Sequence, residues 1–283
     1  MPRIGVVTDS GADLYEPMAH MYSIHEVPVV VRAGEAVFLD GEITPAEFWN
    51  AVFPNAMRPR VSPPPALAFY KTFASLLERN DHIVCLTSSD KLAGAYRSAL
   101  EASQHFHGDV TVFDTHALSL AQAYQAIVAA EAITQAQPLP DVIRLLRSVR
   151  ARTHAFICPD TTEYVRTGGP LDRTLRTIEP ILQRLRMRVL LRVKDGQLAI
   201  MGTSFSQAHG VWRMRREIIR RGPAEMLTVV HTQRPTEAQA LAQRLAAAFR
   251  FPQEEVLITD AGPVFSCLFG PGAIAASIVQ RSR

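Results

Sequence analysis

Short apolar runs alternate with helix-like stretches along the first half of this sequence. The runs Ile4–Val7, His82–Leu86 and Asp109–Phe113 have the length of buried strands. Thr44-Pro-Ala-Glu47 supplies the cap, the proline and the glutamate of a helix start, and an alanine-rich helix is predicted over about Leu118–Gln135. Strands that alternate with helices in this way predict a parallel sheet covered on both faces. We therefore expect an α/β domain over residues 1–152.

The second half of the chain follows a different pattern. The apolar runs Val189–Val193 and Leu198–Met201 flank Lys194-Asp-Gly-Gln197, which is a strong signal for an antiparallel hairpin. Further strands alternate with helices after it, so a mixed-sheet α/β domain is predicted over residues 153–283. The uncharged segment Ala261–Gln280 has the length of a membrane span, but its glycines and prolines would break a spanning helix. We interpret this segment as a strand, a Gly-Pro turn and a closing helix.

Polar residues follow three of the predicted strands in the first half. They are Thr8-Asp-Ser10, Thr87-Ser-Ser89 and Asp114-Thr115. In parallel sheets, ligands bind beyond the carboxyl ends of the strands. Because the three clusters belong at those ends, we expect a binding site at this edge of the sheet.

The second cluster opens a strand–loop–helix segment, Leu86–Ala99. A helix that starts after such a loop directs free backbone N–H groups and the positive end of its dipole into the loop. Gly94 has no Cβ, so a ligand or a neighbouring chain segment can approach it closely. Ser88, Ser89 and Asp90 are also candidates for ordinary helix caps.

Composition indicates a globular protein with two domains. The 283 residues are 47% hydrophobic and 20% charged, with a formal net charge of +3. Arginine-rich segments alternate with apolar residues, which indicates amphipathic elements rather than a nucleic-acid surface. The three cysteines form no Cys-x-x-Cys pair, and the N-terminus has no signal-peptide pattern. We therefore expect a cytoplasmic protein without a transmembrane segment.

Catalytic motifs are missing from the sequence. It contains no phosphate-binding loop, dinucleotide fingerprint, zinc-protease helix or nucleophile elbow, and the nine histidines are scattered. Asp9 and Asp114 are candidates for acid or base groups, although strand-end aspartates more often accept backbone hydrogen bonds. The sequence therefore predicts a binding protein rather than an enzyme, with no metal and no cofactor.

Several motifs, taken together and in order, resemble those of the DegV family over essentially the whole chain. Val7-Thr-Asp-Ser10 with Ala12-Asp-Leu14 resembles the V-T-D-S-T-A-D-L opening of that family. Val61-Ser-Pro-Pro64 is similar to T-S-x-P, and Ser89–Ala99 is similar to S-S-x-L-S-G-T-Y-x-S-A. Further matches are Pro28–Val31 with Asp40-Gly41, Phe113–Thr115, Tyr164–Gly169, Lys194–Gly196 and Gly270–Gly272.

This resemblance implies an N-terminal three-layer α/β/α domain with a parallel sheet, residues 1–152, and a C-terminal mixed-sheet domain, residues 153–283. It also implies one long-chain fatty acid held between the two domains, with its tail in an apolar tunnel. A separate fatty acid kinase would receive the ligand, and the binding protein would do no chemistry itself. The positions that the resemblance assigns to the ligand site are Val61, Ser62, Ser89, Ala93, Gly94, Ala95, Gly169, Leu268 and Gly270.

Some of these positions depart from the family pattern. Val61, Ala93 and Ala95 replace hydroxyl residues, Pro170 replaces an arginine and Leu268 replaces a histidine, so the polar network that holds the carboxylate in the family is lost. A hydrogen bond to a charged group contributes about 1.5–3 kcal/mol. Losing two of them would cost about 3–6 kcal/mol, or roughly 10²–10⁴ in affinity.

Several hypotheses follow from these departures. Ser62, Ser89, the amides around Gly94 and the displaced arginines Arg60, Arg166 and Arg173 would rebuild an anion site, unless those arginines are plain surface charges. Alternatively, the pocket prefers a neutral or bulkier apolar lipid. A third hypothesis is a degenerate paralogue of the family that acts as an interaction or regulatory module. A nucleotide-dependent enzyme is the most distant alternative, because the sequence has no phosphate loop.

Overall fold

The computed structural model describes residues 2–52, 59–165, 174–175, 177–178, 180, 182 and 184–282. The chain divides into two compact units, Met1–Ala151 and Arg152–Arg283. Within the described ranges, no helix is long and apolar enough to cross a membrane.

A four-stranded parallel sheet forms the centre of the first unit. Its strands are β1 (Ile4–Asp9), β2 (Ile24–Val27), β6 (His82–Thr87) and β7 (Val110–Asp114). They lie in the order β2-β1-β6-β7, and every neighbouring pair is parallel. The order brings the carboxyl ends of β1, β6 and β7 to one edge of the sheet, as the sequence predicts.

Helices cover both faces of this sheet. The described helices of the first unit are α1 (Glu16–Met21), α2 (Pro45–Val52), α3 (Ala66–Leu77), α4 (Ala95–Ser103), α5 (Leu120–Thr134) and α6 (Leu139–Arg152). Val7 and Cys85 belong to the buried cluster that includes residues of α3 and α4. Thr8 is the next residue after Val7 and therefore points to the opposite face, where Gln122 of α5 contacts it. The three-layer α/β/α prediction is confirmed.

The first unit also contains a small antiparallel sheet that the sequence does not predict. Its strands are β3 (Val30–Ala33), β4 (Ala36–Leu39) and β5 (Arg60–Ser62), in the order β4-β3-β5. The β-rich run Val27–Val31 is therefore divided at Pro28 between two sheets, because β2 ends at Val27 and β3 begins at Val30. The proline-rich segment before α3 contributes β5, an edge strand of this sheet, and prolines beside an edge strand leave the hydrogen-bond ladder intact.

The second unit contains a mixed six-stranded sheet, which confirms the prediction of a mixed-sheet α/β fold. Its strands are β8 (Thr153–Cys158), β9 (Arg188–Lys194), β10 (Gln197–Ser204), β11 (Ala224–His231), β12 (Leu257–Asp260) and β13 (Ile274–Gln280). They lie in the order β10-β9-β8-β13-β11-β12, with β11 and β12 parallel and the other pairs antiparallel.

The predicted hairpin joins β9 to β10. Asp195 and Gly196 at its tip both have positive φ, as the two-residue turn that fits twisted strands requires. The described helices of this unit are α7 (Gln207–Ile219), α8 (Pro235–Phe249) and α9 (Pro263–Phe269). Buried residues of α7 and α8 form one apolar cluster with β8, β11 and β13.

The order of elements predicted for Ala261–Gln280 is wrong. The helix α9 comes first, the Gly-Pro-Gly turn follows, and β13 is last. The small residues from Ala273 to Ser277 favoured a helix in the sequence. They form a strand because β13 lies between β8 and β11, where both of its faces are buried and small side chains fit.

Candidate functional site

The loops at the carboxyl ends of β1, β6 and β7 are bonded to one another. The Asp9 carboxylate accepts the backbone N–H of Ser88 at 2.6 Å and that of Gly11 at 3.1 Å. The Thr115 hydroxyl donates to the carbonyl of Thr87 at 2.8 Å. The three polar clusters therefore meet at one edge, and much of their polarity holds the loops in place.

The buried aspartates at this edge have perturbed pKa values. Asp9 is fully buried, and burial raises its pKa from 3.8 to about 6 although the backbone N–H of Ser88 acts in the opposite direction. Asp40 is also buried, and burial, followed by the charge of Asp13, raises its pKa well above the ordinary value. Asp114, the other candidate acid, accepts the N–H of His116 at 2.9 Å. Both strand-end candidates, Asp9 and Asp114, thus accept backbone hydrogen bonds.

Two glutamines under these loops were not predicted from the sequence. Gln122 and Gln125 of α5 are fully buried; Gln122 Nε2 donates to the Thr8 hydroxyl at 2.9 Å, and Gln125 Nε2 donates to the Thr115 carbonyl at 3.1 Å. The sequence signal is a pair of amides three residues apart in a helix that is mostly apolar and rich in alanine. One helical turn places them on the same face, towards the loops.

Ser119, at the start of α5, has a strained backbone. Its φ of +56° and ψ of −146° lie in a region that is nearly exclusive to glycine. Its N–H donates to the Gly11 carbonyl at 2.7 Å, and its hydroxyl donates to the Asp13 carboxylate. These bonds hold the strained residue against the loop that follows β1.

The loop after β6 has the strand–loop–helix form predicted for it, but the predicted caps are wrong. The cap residue of α4 is Gly94, with φ of +74°, and no side chain caps this helix. The carbonyl of Ser89 accepts the N–H groups of Leu92 and Ala93, so an extra turn separates the serines from the helix start. Asp90 instead pairs with Arg97 at 3.0 Å.

The segment Val61–Pro63, at the end of β5, packs beside this loop. The ring of Pro63, which follows β5, lies so close to Gly94 that an added Cβ there would be 3.6 Å from its Cγ. Val61 and Ser62 are half-buried, whereas Ala93 and Ala95 are buried. The structure therefore brings these four predicted site residues to the two sides of one Pro63–Gly94 contact. Within the described part of the chain, the Ser62 hydroxyl has no hydrogen-bond partner.

Other predicted residues of the first unit are less central to this arrangement. Ser89 is fully buried, and its N–H donates to the Ala117 carbonyl at 2.9 Å. Arg60 is exposed at the start of β5. Ser89 thus helps to hold the loop in place through a buried backbone hydrogen bond. Arg60 lies at the surface.

The predicted site residues of the second unit surround the Gly-Pro-Gly turn. Leu268 is buried near the end of α9, two residues before Gly270. Gly270 has φ of +75° and ψ of −179°, and an added Cβ would lie 2.6 Å from the ring of Tyr164. The Thr232 hydroxyl donates to the Gly270 carbonyl at 2.7 Å and accepts the N–H of Ala273 at 2.8 Å. The turn is therefore held rigidly against an aromatic ring.

Two arginines near this turn were not predicted. Arg188 pairs with Asp160 at 2.8 Å, and an added Cβ at Gly272 would lie 3.0 Å from Cβ of Asp160 and 3.5 Å from Nε of Arg234. No spacing in the sequence links Arg188 or Arg234 to the turn, since only the fold brings them there. The predicted positions Arg166, Gly169, Pro170 and Arg173 lie outside the described residues.

Metal ligands are not grouped in the part of the chain that the structure describes. Over those ranges, no group of three or more histidine, cysteine or acidic residues is arranged to hold a metal ion. The described rim combines the buried, hydrogen-bonded carboxylate of Asp9 with the buried apolar residues Ala93 and Ala95.

Known proteins resemble this chain over its full length. A family model described as "Uncharacterised protein, DegV family" matches residues 3–281. A DegV domain-containing protein of Deinococcus radiodurans is 25% identical over 280 residues, which cover 97% of this chain and 98% of that protein.

Solved structures also match. A DegV family protein from Thermus thermophilus, whose structure is described as showing fatty acid binding, is 27% identical with a TM-score of 0.88, covering 99% of this chain and 100% of that one. DegV of Bacillus subtilis, described as a fatty acid binding protein, is 23% identical with a TM-score of 0.86 over 99% and 100% of the two chains. Because the identity to the Bacillus subtilis protein is only 23%, that similarity shows a shared fold and nothing more. With a family model that matches nearly every residue, this chain belongs to the DegV family.

Proposed function

We propose that this protein binds a long-chain fatty acid or a closely related apolar ligand. The fatty acid binding described for the Thermus thermophilus relative, which is 27% identical, supports this proposal. The contact between Pro63 and Gly94 carries it, because that contact joins two apolar wall segments beside a polar strand edge. Such a combination suits a ligand with a long apolar part and a small polar end.

Few side chains around the Pro63–Gly94 contact can form a hydrogen bond to the polar end of the ligand. Val61, Ala93 and Ala95 present no hydroxyl, whereas the half-buried Ser62 has one that is free to donate. The first turn of α4, directly after Gly94, adds backbone N–H groups that have no partner within the helix. We propose that Ser62 and these amides hold the headgroup, more weakly than a full set of hydroxyls would.

Lipid extraction tests this proposal directly. Mass spectrometry of an organic extract of the purified protein should show close to one acyl chain per protein molecule. Ser62→Asp places a carboxylate beside the proposed headgroup and should empty the protein by charge repulsion. Ser148→Asp adds the same charge at an exposed position of α6 and should keep the ligand. An empty extract from the unmodified protein would contradict the proposal.

We also infer that the protein carries its ligand to a fatty acid kinase and does no chemistry alone. The buried carboxylate of Asp9 accepts the backbone N–H groups of Ser88 and Gly11, which suits a carrier rather than a catalyst. With ATP and a fatty acid kinase present, the bound acid should become an acyl phosphate that hydroxylamine traps as a hydroxamate. Hydroxamate formed without the kinase would contradict the carrier role.

A second candidate function is an interaction or regulatory module that holds no carboxylate ligand. The observation that favours it is the apolar side chain at Val61, Ala93, Ala95 and Leu268, where the family pattern has polar residues. The extraction experiment separates the two candidates. A folded protein that is empty, and that does not take up added fatty acid, supports the module.

A further inference from the structure

A cationic recess lies between the two long helices of the second unit. Its lining residues are Val211, Trp212 and Arg215 of α7 and Leu241 and Arg244 of α8, and its volume is about 180 Å³. Met214 and Ile218 of α7 are buried in the core cluster of this unit. The side of α7 next to these buried residues therefore faces α8. Arg215 of α7 and Arg244 of α8 line the same cavity between the two helices.

The two arginines of this recess lack counter-charges. Across the residues that the structure describes, neither Arg215 nor Arg244 has an ion pair or a hydrogen bond, and Arg215 Nε is shielded from solvent without an acceptor. Arginines that cap the same helices are paired, Arg220 with Glu217 at 2.6 Å and Arg234 with Glu237 at 3.3 Å. A buried donor without an acceptor costs free energy, so an anion in the recess would satisfy Arg215.

An aromatic wall flanks the two arginines. Trp212 is 44% exposed, the ring of His209 stacks on it with centroids 5.7 Å apart, and the guanidinium of Arg216 lies 4.7 Å above its ring. A further positive charge therefore stands at the rim. Val211 and Leu241 supply the apolar part of the lining.

We propose that this recess binds a small organic phosphate, a phosphate monoester with a compact apolar or aromatic part. Two guanidiniums match the charge and the several acceptor oxygens of a phosphate monoester better than the single charge of a carboxylate. The recess, at about 180 Å³, is smaller than the roughly 300–1,000 Å³ of typical ligand pockets, so a compact ligand suits it better than a long acyl chain. This recess shares no residue with the Pro63–Gly94 contact, and the proposal does not depend on the proposed lipid function.

Trp212 gives the site its own reporter. The chain has two tryptophans, and Trp49 is buried at 1% exposure, so a ligand in the recess should change the emission of Trp212 alone. We expect phenyl phosphate to produce a saturable change at constant ionic strength. Benzyl alcohol, which lacks the charge, should produce none. A lack of saturable response to phenyl phosphate up to about 10 mM, roughly ten times a Kd of 1 mM, would overturn the proposal.

Matched variants test the assignment of the two arginines. Arg215→Gln and Arg244→Gln should each weaken phenyl phosphate binding at least about tenfold, since each removes a charged hydrogen bond. Arg220→Gln removes the same charge from the exposed cap residue directly after α7 and should change binding less than about twofold. Arg215→Lys, which keeps the charge without the planar fork, should bind with intermediate affinity. Equal weakening by Arg215→Gln and Arg220→Gln would show a general charge effect and overturn the site.

The source of the phosphate is tested in separate titrations. Inorganic phosphate should bind more weakly than phenyl phosphate, because it makes no use of the Trp212 wall. Vesicles of phosphatidylcholine with phosphatidic acid present the same phosphate on a lipid surface. Binding to these vesicles without binding of phenyl phosphate would contradict a small-molecule site. Since both arginines are unpaired, the glutamine variants should keep the unfolding temperature of the parent, which confirms that they are folded.

Discussion

The Asp9 carboxylate accepts the backbone N–H of Ser88 at 2.6 Å and so ties the end of β1 to the loop that follows β6. The bond is charge-assisted when Asp9 is ionised and lies in a fully buried place. One side chain thus fixes the relative positions of two loops at the rim. The protonation of Asp9 is therefore expected to affect both the stability of the first unit and the geometry of its rim.

The first prediction concerns stability against pH. Burial raises the pKa of Asp9 from 3.8 to about 6, so the folded protein holds a proton over a range where the unfolded chain has lost it. This contribution is full below pH 3.8 and is lost as pH rises through 6, at a total of about 3 kcal/mol. Asp9→Asn should flatten the fall in the free energy of unfolding between pH 4 and 7, measured by urea denaturation.

The control for this prediction is Asp141→Asn, which removes a carboxylate that pairs with Arg144 at the surface of α6. The burial of Asp40 raises its pKa in the same direction, so some slope should remain in Asp9→Asn. Equal slopes in the two variants would contradict the role assigned to Asp9.

The second prediction restores the missing hydroxyls. Val61→Thr with Ala93→Ser should strengthen fatty acid binding, by about tenfold or more for each hydroxyl that reaches the carboxylate. Competition with a fluorescent fatty acid measures the change. Ala99→Ser adds a hydroxyl on the core-facing side of α4, where Ala99 is fully buried, and should leave affinity unchanged. If the double variant binds no more tightly than the parent, the carboxylate lies elsewhere.

The third prediction concerns the Gly-Pro-Gly turn. Gly270→Ala should destabilise the second unit, because φ of +75° with ψ of −179° is nearly exclusive to glycine and Tyr164 occupies the space for a Cβ. The strain costs about 1–3 kcal/mol, and the steric contact adds about 1–3 kcal/mol. Gly222→Ala also forces an alanine to positive φ, but no atom lies within 4 Å, so its cost should be smaller. Thermal unfolding compares the two, and equal losses would rule out the Tyr164 contact as the cause.

The fourth prediction concerns the thiols. Burial raises the pKa of Cys158 to about 12 and that of Cys85 well above its ordinary value, and Cys267 is buried as well. Thiolate is the reactive form, so the native protein should react with a disulfide reagent only as fast as it unfolds. In denaturant, all three cysteines should react at once. Rapid labelling of one cysteine under native conditions would contradict this assignment.

Local patterns in the sequence predicted many elements because their causes are local. Thr44 and Glu47 form the reciprocal pair of hydrogen bonds that their spacing predicts, at 2.8 and 3.2 Å. Asp195-Gly196 forms its turn for the same reason, since the two residues that must reach positive φ are adjacent in the sequence. The parallel sheet with its polar rim also followed from the alternation of strands and helices.

Other features depend on packing between distant segments, which no local pattern reveals. β13 was mistaken for a helix because its small residues fit a strand only when neighbours cover both of its faces. The caps predicted at Ser88, Ser89 and Asp90 failed because the loop makes an extra turn before Gly94. Arg188 and Arg234 lie near the Gly-Pro-Gly turn only because the chain folds. The segments that contain Ser62 and Ala93 lie side by side because Pro63 contacts Gly94.

The position of β13 has a consequence for the way the second unit forms. β13 lies between β8 and β11 in the six-stranded sheet, yet it follows the other five strands of that sheet in the sequence. Strands β8, β9 and β10 and strands β11 and β12 are therefore synthesised before β13, the strand that joins these two groups. Until it arrives, the edges of β8 and β11 are open and able to pair with the wrong strand. The sheet of the second unit is thus expected to close later in synthesis than the parallel sheet of the first unit, whose strands β1, β2, β6 and β7 are complete much earlier.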